Sequence, residues 1–201
     1  MMMSVTSIRC LVIVFATILK ITKAQIPGIG GCPNVHVVQN FDLHRYLGLW
    51  YEVKKYPFIF TLGGKCITAE YGLNANGTVS VFNKQIRNGR EETILGSARI
   101  IRSGVLGVTF SNVPFQTEAN YNVLDTDYQS YAVVYSCNSF LSLVNGRIVW
   151  ILTRTRFPSQ AVIDKAYQVM RSNGLSTSYL ASTDNTDCPD ELPNGIDSFR
   201  Y

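Results

Sequence analysis

Beyond residue 24 the side chains best suited to covalent, redox or metal chemistry are Cys32, Cys66, Cys137 and Cys188, with His36 and His44 the only histidines. A thiol nucleophile needs a neighbouring base or cation to lower its pKa, and a zinc knuckle needs cysteines a few positions apart. No two of these cysteines are that close, so zinc is disfavoured. An even number of cysteines in an exported chain suits two disulfides, for which three pairings are open. Two histidines cannot build a histidine cluster, and Glu52, which shares the inward parity of Trp50, is a single carboxylate with no histidine or second acid nearby in sequence. No catalytic residue and no metal site is expected. Asn76-Gly77-Thr78 is the single N-glycosylation sequon, on an expected exposed turn.

The even cysteine count depends on removing residues 1–24. Met1 to Arg9 carries one positive charge, Cys10 to Leu19 is a ten-residue apolar run, and Thr22-Lys23-Ala24 offers small residues to a signal peptidase. That pattern predicts a secretory signal peptide, because ten apolar residues are too few to span a bilayer, which takes about 20. Arg9, Lys20, Lys23 and Cys10 leave with it. Of the 18 basic and 14 acidic side chains, 15 and 14 remain, a net charge of +1. The remaining chain is too apolar for disorder and too weakly charged for a nucleic-acid partner. It contains no membrane span.

The elements that must carry these residues read as short β-runs cut by turns. Arg45–Tyr56, Cys66–Leu73, Thr78–Ile86, Glu91–Ile101, Leu106–Phe110, Tyr121–Tyr128, Tyr131–Cys137 and Ile148–Thr155 make about eight strands, with turn signals at 74–77 and at Asn88-Gly89. Their spacing favours an antiparallel sandwich or barrel over about 45–156. A helix over about 159–172 follows, with apolar residues at 162, 166, 169 and 170, Ser159 as its cap and Gly174 at its end. Residues 25–31 read as an irregular lead-in, Thr177–Ser182 as a last short strand and 184–201 as a tail. Residues 25–201 are expected to form one domain.

Three local signals occur in order along this framework: Gly48-Leu49-Trp50 in the first strand, Thr126-Asp127-Tyr128 ending the sixth, and Arg154 ending the eighth. Together they resemble the lipocalin family. The resemblance implies an all-β, eight-stranded antiparallel up-and-down barrel with a C-terminal α-helix packed on its side. It makes Gly48, Trp50, Thr126, Asp127, Tyr128 and Arg154 structural signature positions, Trp50 closing the base with Arg154 across its ring. Within the family, Cys32-Pro33, 40–42, 46–53, 65–67, 131–137 and 150–154 are similar to the apolipoprotein D group, which includes Lazarillo-type and bilin-binding lipocalins. That likeness implies the pairings Cys32–Cys137 and Cys66–Cys188.

An eight-stranded barrel can enclose one small ligand. The family's alternation implies a lining of Ala69, Tyr71, Val79, Val81, Val108, Phe110, Tyr121, Val123, Ala132, Val134, Trp150 and Leu152. Ala69, Gly96, Ala98 and Ala132 would leave room, and Tyr121 or Tyr71 would orient a ligand by a hydrogen bond. The bland alternative is a solid core. The loop 55–64, where the family has a lid, is unusually apolar and adds Phe58 and Phe60 to the ligand contacts. The expected function is a secreted, extracellular carrier of a fatty acid, sterol, retinoid or bilin. No cofactor is required, and bound lipid or biliverdin is compatible.

The alternatives are a bilin pigment protein and a recognition protein acting through the mouth loop on lipid particles or a cell-surface receptor. Enzymatic activity is not expected, since the pairings leave no free thiol. Haem ligation inside the barrel is not expected either, because both histidines precede the strands. The polar end of the chain suggests a soluble protein without a lipid anchor.

Overall fold

The computed structural model describes residues 26–57, 63–111 and 118–189. The expected signal peptide, Phe58, Phe60 and the end of the tail lie outside the described residues. Among the described residues, ten strands form one antiparallel sheet: β1 (Ile26–Ile29), β2 (Gly48–Lys55), β3 (Lys65–Leu73), β4 (Val79–Arg87), β5 (Arg90–Arg102), β6 (Val105–Phe110), β7 (Ala119–Thr126), β8 (Tyr131–Phe140), β9 (Val144–Thr153) and β10 (Ala181–Ser182). Strands β2 to β9 follow chain order and close by pairing β9 with β2, Tyr51 opposite Thr153 and Lys55 opposite Trp150. This is a closed eight-stranded up-and-down barrel, which removes the sheet edges that invite aggregation.

Two short strands extend it. The lead-in is not irregular: Ile26–Ile29 pairs along β9, Ile29 opposite Val144, and the buried Asn145 holds it by donating its amide N–H to the Gly30 and Gly31 carbonyls. After the helix, Thr177–Tyr179 is a 3-10 turn, because the Ser176 hydroxyl accepts the Ser178 N–H, and only 181–182 is strand.

Alternation divides the apolar residues between two cores. Trp50, Val81, Val123, Ala132, Val134 and Leu152 belong to the buried cluster inside the barrel. Val133, Tyr135, Val149 and Ile151, one position out of phase, form the outer cluster with α2 (Gln160–Ser172). That helix buries Ile163, Ala166, Val169 and Met170, so Ile163 rather than the expected Val162 occupies the core face. Ser159 precedes it in extended conformation but makes no side-chain cap bond. Its end is a Schellman closure: Gly174 takes φ +67°, its N–H bonds the Arg171 carbonyl, and the Leu175 N–H bonds the Met170 carbonyl.

Both disulfides are present, Cys32–Cys137 and Cys66–Cys188. The first ties the lead-in to the barrel wall. The second ties the tail to the start of β3.

Candidate functional site

The first barrel strand begins later than its composition suggests. Residues 43–46 instead form a helical turn, α1 (Leu43–Tyr46), started by Asp42, whose carboxylate accepts the Arg45 N–H, and left through Gly48 at φ +88°. This turn crosses the closed end and drops Leu43 and Tyr46 into the barrel. Trp50 sits above it fully buried, its indole N–H donating to the Tyr46 carbonyl at 2.8 Å. The Arg154 guanidinium lies 3.7 Å over the Trp50 ring. Its N–H groups reach the carbonyls of Leu49 at 2.7 Å, Leu47 at 2.9 Å, Arg45 at 3.0 Å and Tyr128 at 3.1 Å. A planar five-donor fork suits such a ring of carbonyls. Arg154 is therefore an internal strut of the base.

The Thr126-Asp127-Tyr128 corner locks the neighbouring turn. The Thr126 hydroxyl donates to the Tyr131 carbonyl at 2.6 Å and accepts the Tyr128 N–H. Asp127 accepts the N–H groups of Gln129, Ser130 and Tyr131 and the Ser130 hydroxyl. Burial pushes its carboxyl pKa up, but these donors outweigh it and hold it below the usual carboxylate value.

Above the base the twelve residues expected to line the lumen all belong to the interior cluster, Phe110, Tyr121 and Trp150 as half-buried members. Around Tyr71, Val79, Val108 and Tyr121, closed from below by Leu43 and Tyr46, only about 10 Å³ is empty, roughly room for one water. The space between these side chains is therefore nearly filled, because α1 supplies Leu43 and Tyr46, of which Tyr46 falls within the expected first strand.

A tyrosine trio roofs this packed floor. The Tyr121 hydroxyl lies 2.8 Å from Tyr46 Oη and 2.8 Å from Tyr71 Oη. Burial pushes the Tyr46 and Tyr121 phenols up and Tyr71 to about 12, so all three stay protonated at neutral pH. Three hydroxyls bring three protons and form two mutual bonds. Whichever way the bonds run, one O–H in the trio has no acceptor among the described residues. Tyr121 also faces Trp150, their rings nearly parallel at 6.5 Å between centroids. Phe110, Tyr121 and Trp150 keep part of their surface accessible although they point inward. They are half-buried inward rings of the interior cluster.

Further lumen positions follow from pairing, since directly opposed residues share a face. Glu52 is opposite Leu152 and Lys55 opposite Trp150, so both point inward. Sequence parity assigned Glu52 correctly but not Lys55. A bulge between Glu52 and Lys54 leaves both Val53 and Lys54 facing outward and so shifts the alternation by one. Ser136 and Ile148, opposite each other and buried, were likewise missed. His36 and His44 are exposed and outside the lumen.

Asn76 lies on the exposed β3–β4 turn at the closed end, its side-chain oxygen accepting the Thr78 N–H and hydroxyl. At the open end the β8–β9 hairpin is exposed and apolar, with Phe140, Leu141, Leu143 and Val144 at 68%, 73%, 65% and 52% exposure and Ile29 beside them at 98%.

The lipocalin-like domain family matches residues 41–185. Apolipoprotein D of Cavia porcellus is 40% identical over 167 residues, covering 81% of this chain and 87% of that protein. The bilin-binding protein of Pieris brassicae is 34% identical over 131 residues, covering 63% and 69%. Insecticyanin from the tobacco hornworm Manduca sexta has a solved structure that superposes with a TM-score of 0.74 at 27% identity, covering 82% of this chain and 91% of that one. A closed barrel plugged by a tryptophan beneath an arginine, and matched by these proteins over most of its length, places the chain in the lipocalin family.

Proposed function

We propose that this lipocalin is a secreted carrier that holds one small hydrophobic ligand in the upper half of its barrel. One observation carries the reading: three inward-pointing aromatic rings keep part of their surface accessible beside a trio of phenols in which one O–H has no acceptor among the described residues. Apolar walls bind by burial, and a single enclosed donor fixes orientation. The ligand is therefore an elongated or flat lipophile with a carbonyl, carboxylate or hydroxyl oxygen at its deep end. Fatty acids, sterols, retinoids and the bilins that relatives are named for all meet that description. In this reading the carrier requires no cofactor, and its paired cysteines offer no thiolate for catalysis. Export is supported by the signal-like first 24 residues and by two disulfides, which persist in oxidising compartments. Native mass spectrometry and an absorption spectrum of the protein from its source test the reading. A bound lipid mass or a bilin band supports it, and an empty barrel that takes up no added lipophile contradicts it.

A second reading, docking on lipid particles or a membrane-borne receptor, is favoured by the β8–β9 tip. Leu141 and Ser142 adopt φ +49° and +56°, a left-handed turn that the β4–β5 hairpin fills with Asn88-Gly89 at +51° and +73°. A leucine there opposes local preference, and it presents an apolar tip at the barrel mouth. Leu141→Asn should leave stability unchanged or raised and weaken flotation with lipid vesicles. Undiminished flotation counts against this reading. The apolar mouth loop with Phe58 and Phe60 is proposed to share the role, tested by changing both to serine.

A further inference from the structure

The upper half of β2 does not pair with β3. Register between the two covers only Gly48 to Tyr51, opposite Tyr71 to Thr68. Higher up, the tail takes that edge of β2, with Ser182 opposite Lys54 and Ala181 opposite Lys55. The Thr183 N–H continues the ladder to the Val53 carbonyl. Side chains add to it: the Thr183 hydroxyl donates to Glu52 Oε1 at 2.6 Å, and the Asn185 amide donates to the Glu52 carbonyl at 2.9 Å. Glu52 is itself held by Lys55, whose Nζ lies 2.7 Å from the same oxygen. The tail is therefore stapled to β2.

Its hold on β3 is of another kind. Among the described residues, one backbone bond from the Cys66 N–H to the Asp184 carbonyl and the Cys66–Cys188 disulfide join the tail to β3. Cys66 also interrupts β3: the register with β4 shifts between Lys65 and Thr68, and Cys66 stands at φ +55°. A residue with a Cβ leaves the left-handed region once its surroundings no longer impose it. The disulfide is thus the covalent bolt across a seam of the wall. Its two sulfurs are unequally placed. Cys66 is 1% exposed, whereas Cys188 is half-buried between the exposed Asp187 and Pro189. The other disulfide closes no such seam, because the chain is held on both sides of Cys32. The β1 ladder holds it before, and afterwards the His36 N–H bonds Asn173 Oδ1 and the Val38 N–H bonds the Val123 carbonyl.

We propose that the Cys66–Cys188 bond is a redox latch on the barrel wall, and that its reduction by a dithiol parts the tail from β3 and speeds ligand release. One thiol of the dithiol, ionised, attacks Cys188 Sγ. The S–S bond breaks, and Cys66 leaves as a thiolate that takes up the proton the attacking thiol has lost. The second thiol then displaces Cys188 from the mixed disulfide in the same way. Two electrons pass from the dithiol, which ends as a disulfide, to the protein, which ends with two thiols. The seam then keeps one backbone hydrogen bond, made by a residue that favours another conformation. β2 retains the tail, so the opening is local. The release step rests on the carrier reading; the opening of the seam does not.

The test is graded reduction by dithiothreitol of the full mature protein preloaded with a fluorescent lipophile. Alkylated cysteines and backbone hydrogen exchange are both read by mass spectrometry. Cys66 and Cys188 are expected to alkylate before Cys32 and Cys137. Exchange in 64–68 and 181–185 should then rise at least tenfold while that of β8 and β9 stays unchanged, and the lipophile should leave at least tenfold faster. The Cys66→Ser and Cys188→Ser double variant should show both changes without reductant, and the Cys32→Ser and Cys137→Ser pair neither. Should the first variant fail to fold, the partly reduced wild type decides alone. Earlier reduction of Cys32–Cys137, unchanged exchange at the seam, exchange that rises throughout the barrel, or release that does not quicken overturns the proposal. If the protein takes up no lipophile, the carrier reading fails, and alkylation and exchange still decide whether the latch opens.

Discussion

Arg154 is the residue on which the closed end depends. Its contact with Trp50 is worth about 0.5–2 kcal/mol, and hydrogen bonds from a charged donor add roughly 1.5–3 kcal/mol. These terms are not additive, so Arg154→Ala is expected to lose about 3 kcal/mol in urea unfolding. Arg154→Lys should recover only part of this, because an ammonium cannot reach the ring of carbonyls as a fork does. The tyrosines set the alkaline limit. Burial raises Tyr71 and Tyr56 from 10.0 to about 12. The folded state therefore holds phenols that the unfolded chain ionises more easily. Their stabilising contribution is fully present below pH 10 and is lost as pH rises toward 12. Thermal melts should show a flat transition temperature to about pH 10 and a fall above it, together with phenolate absorption that lags that of the unfolded chain. Tyr121→Phe removes the centre of the trio. It should weaken a ligand bearing a terminal carbonyl or hydroxyl about tenfold relative to the corresponding hydrocarbon, by competition against a fluorescent lipophile.

At the scale of elements, the tail seam and the helix divide the work. Each disulfide closes a loop of over 100 residues, and loss of one in a small exported domain costs roughly 2–5 kcal/mol. The Cys66→Ser and Cys188→Ser double variant should show that loss in denaturant. It should also release ligand faster, because the seam between the tail and β3 loses its covalent tie. Met170, fully buried on the core face of α2, should cost about 2–4 kcal/mol when replaced by alanine. Strand positions were legible in the sequence because alternation and Asn-Gly turns are local signals. Three features were not. The α1 turn rests on one Asp42 cap inside an aromatic, β-like segment. The longer β8–β9 hairpin runs through Leu141-Ser142, which carries no turn signature. Lys55 faces inward only because of a bulge at Val53, and a bulge shifts parity without marking composition.

For the molecule as a whole, the barrel is a sealed cup with two unlike ends. The closed end is packed almost solid by α1, Trp50 and the tyrosines, and its outer turn carries the sequon at Asn76. Mass loss on glycosidase treatment of the protein purified from its source is the outcome expected if Asn76 carries a glycan, and an unchanged mass contradicts it. The open end has accessible aromatic walls, the Glu52–Lys55 pair and an apolar hairpin tip. In the proposed carrier the ligand lies beside Trp150 and away from the packed base around Trp50. The chain has two tryptophans, which makes the claim directly measurable by titrating a lipophile while recording tryptophan emission. A saturable one-to-one change that disappears in Trp150→Phe is the predicted result. The absence of saturable binding, or an unchanged response in Trp150→Phe that must then come from Trp50, would contradict it.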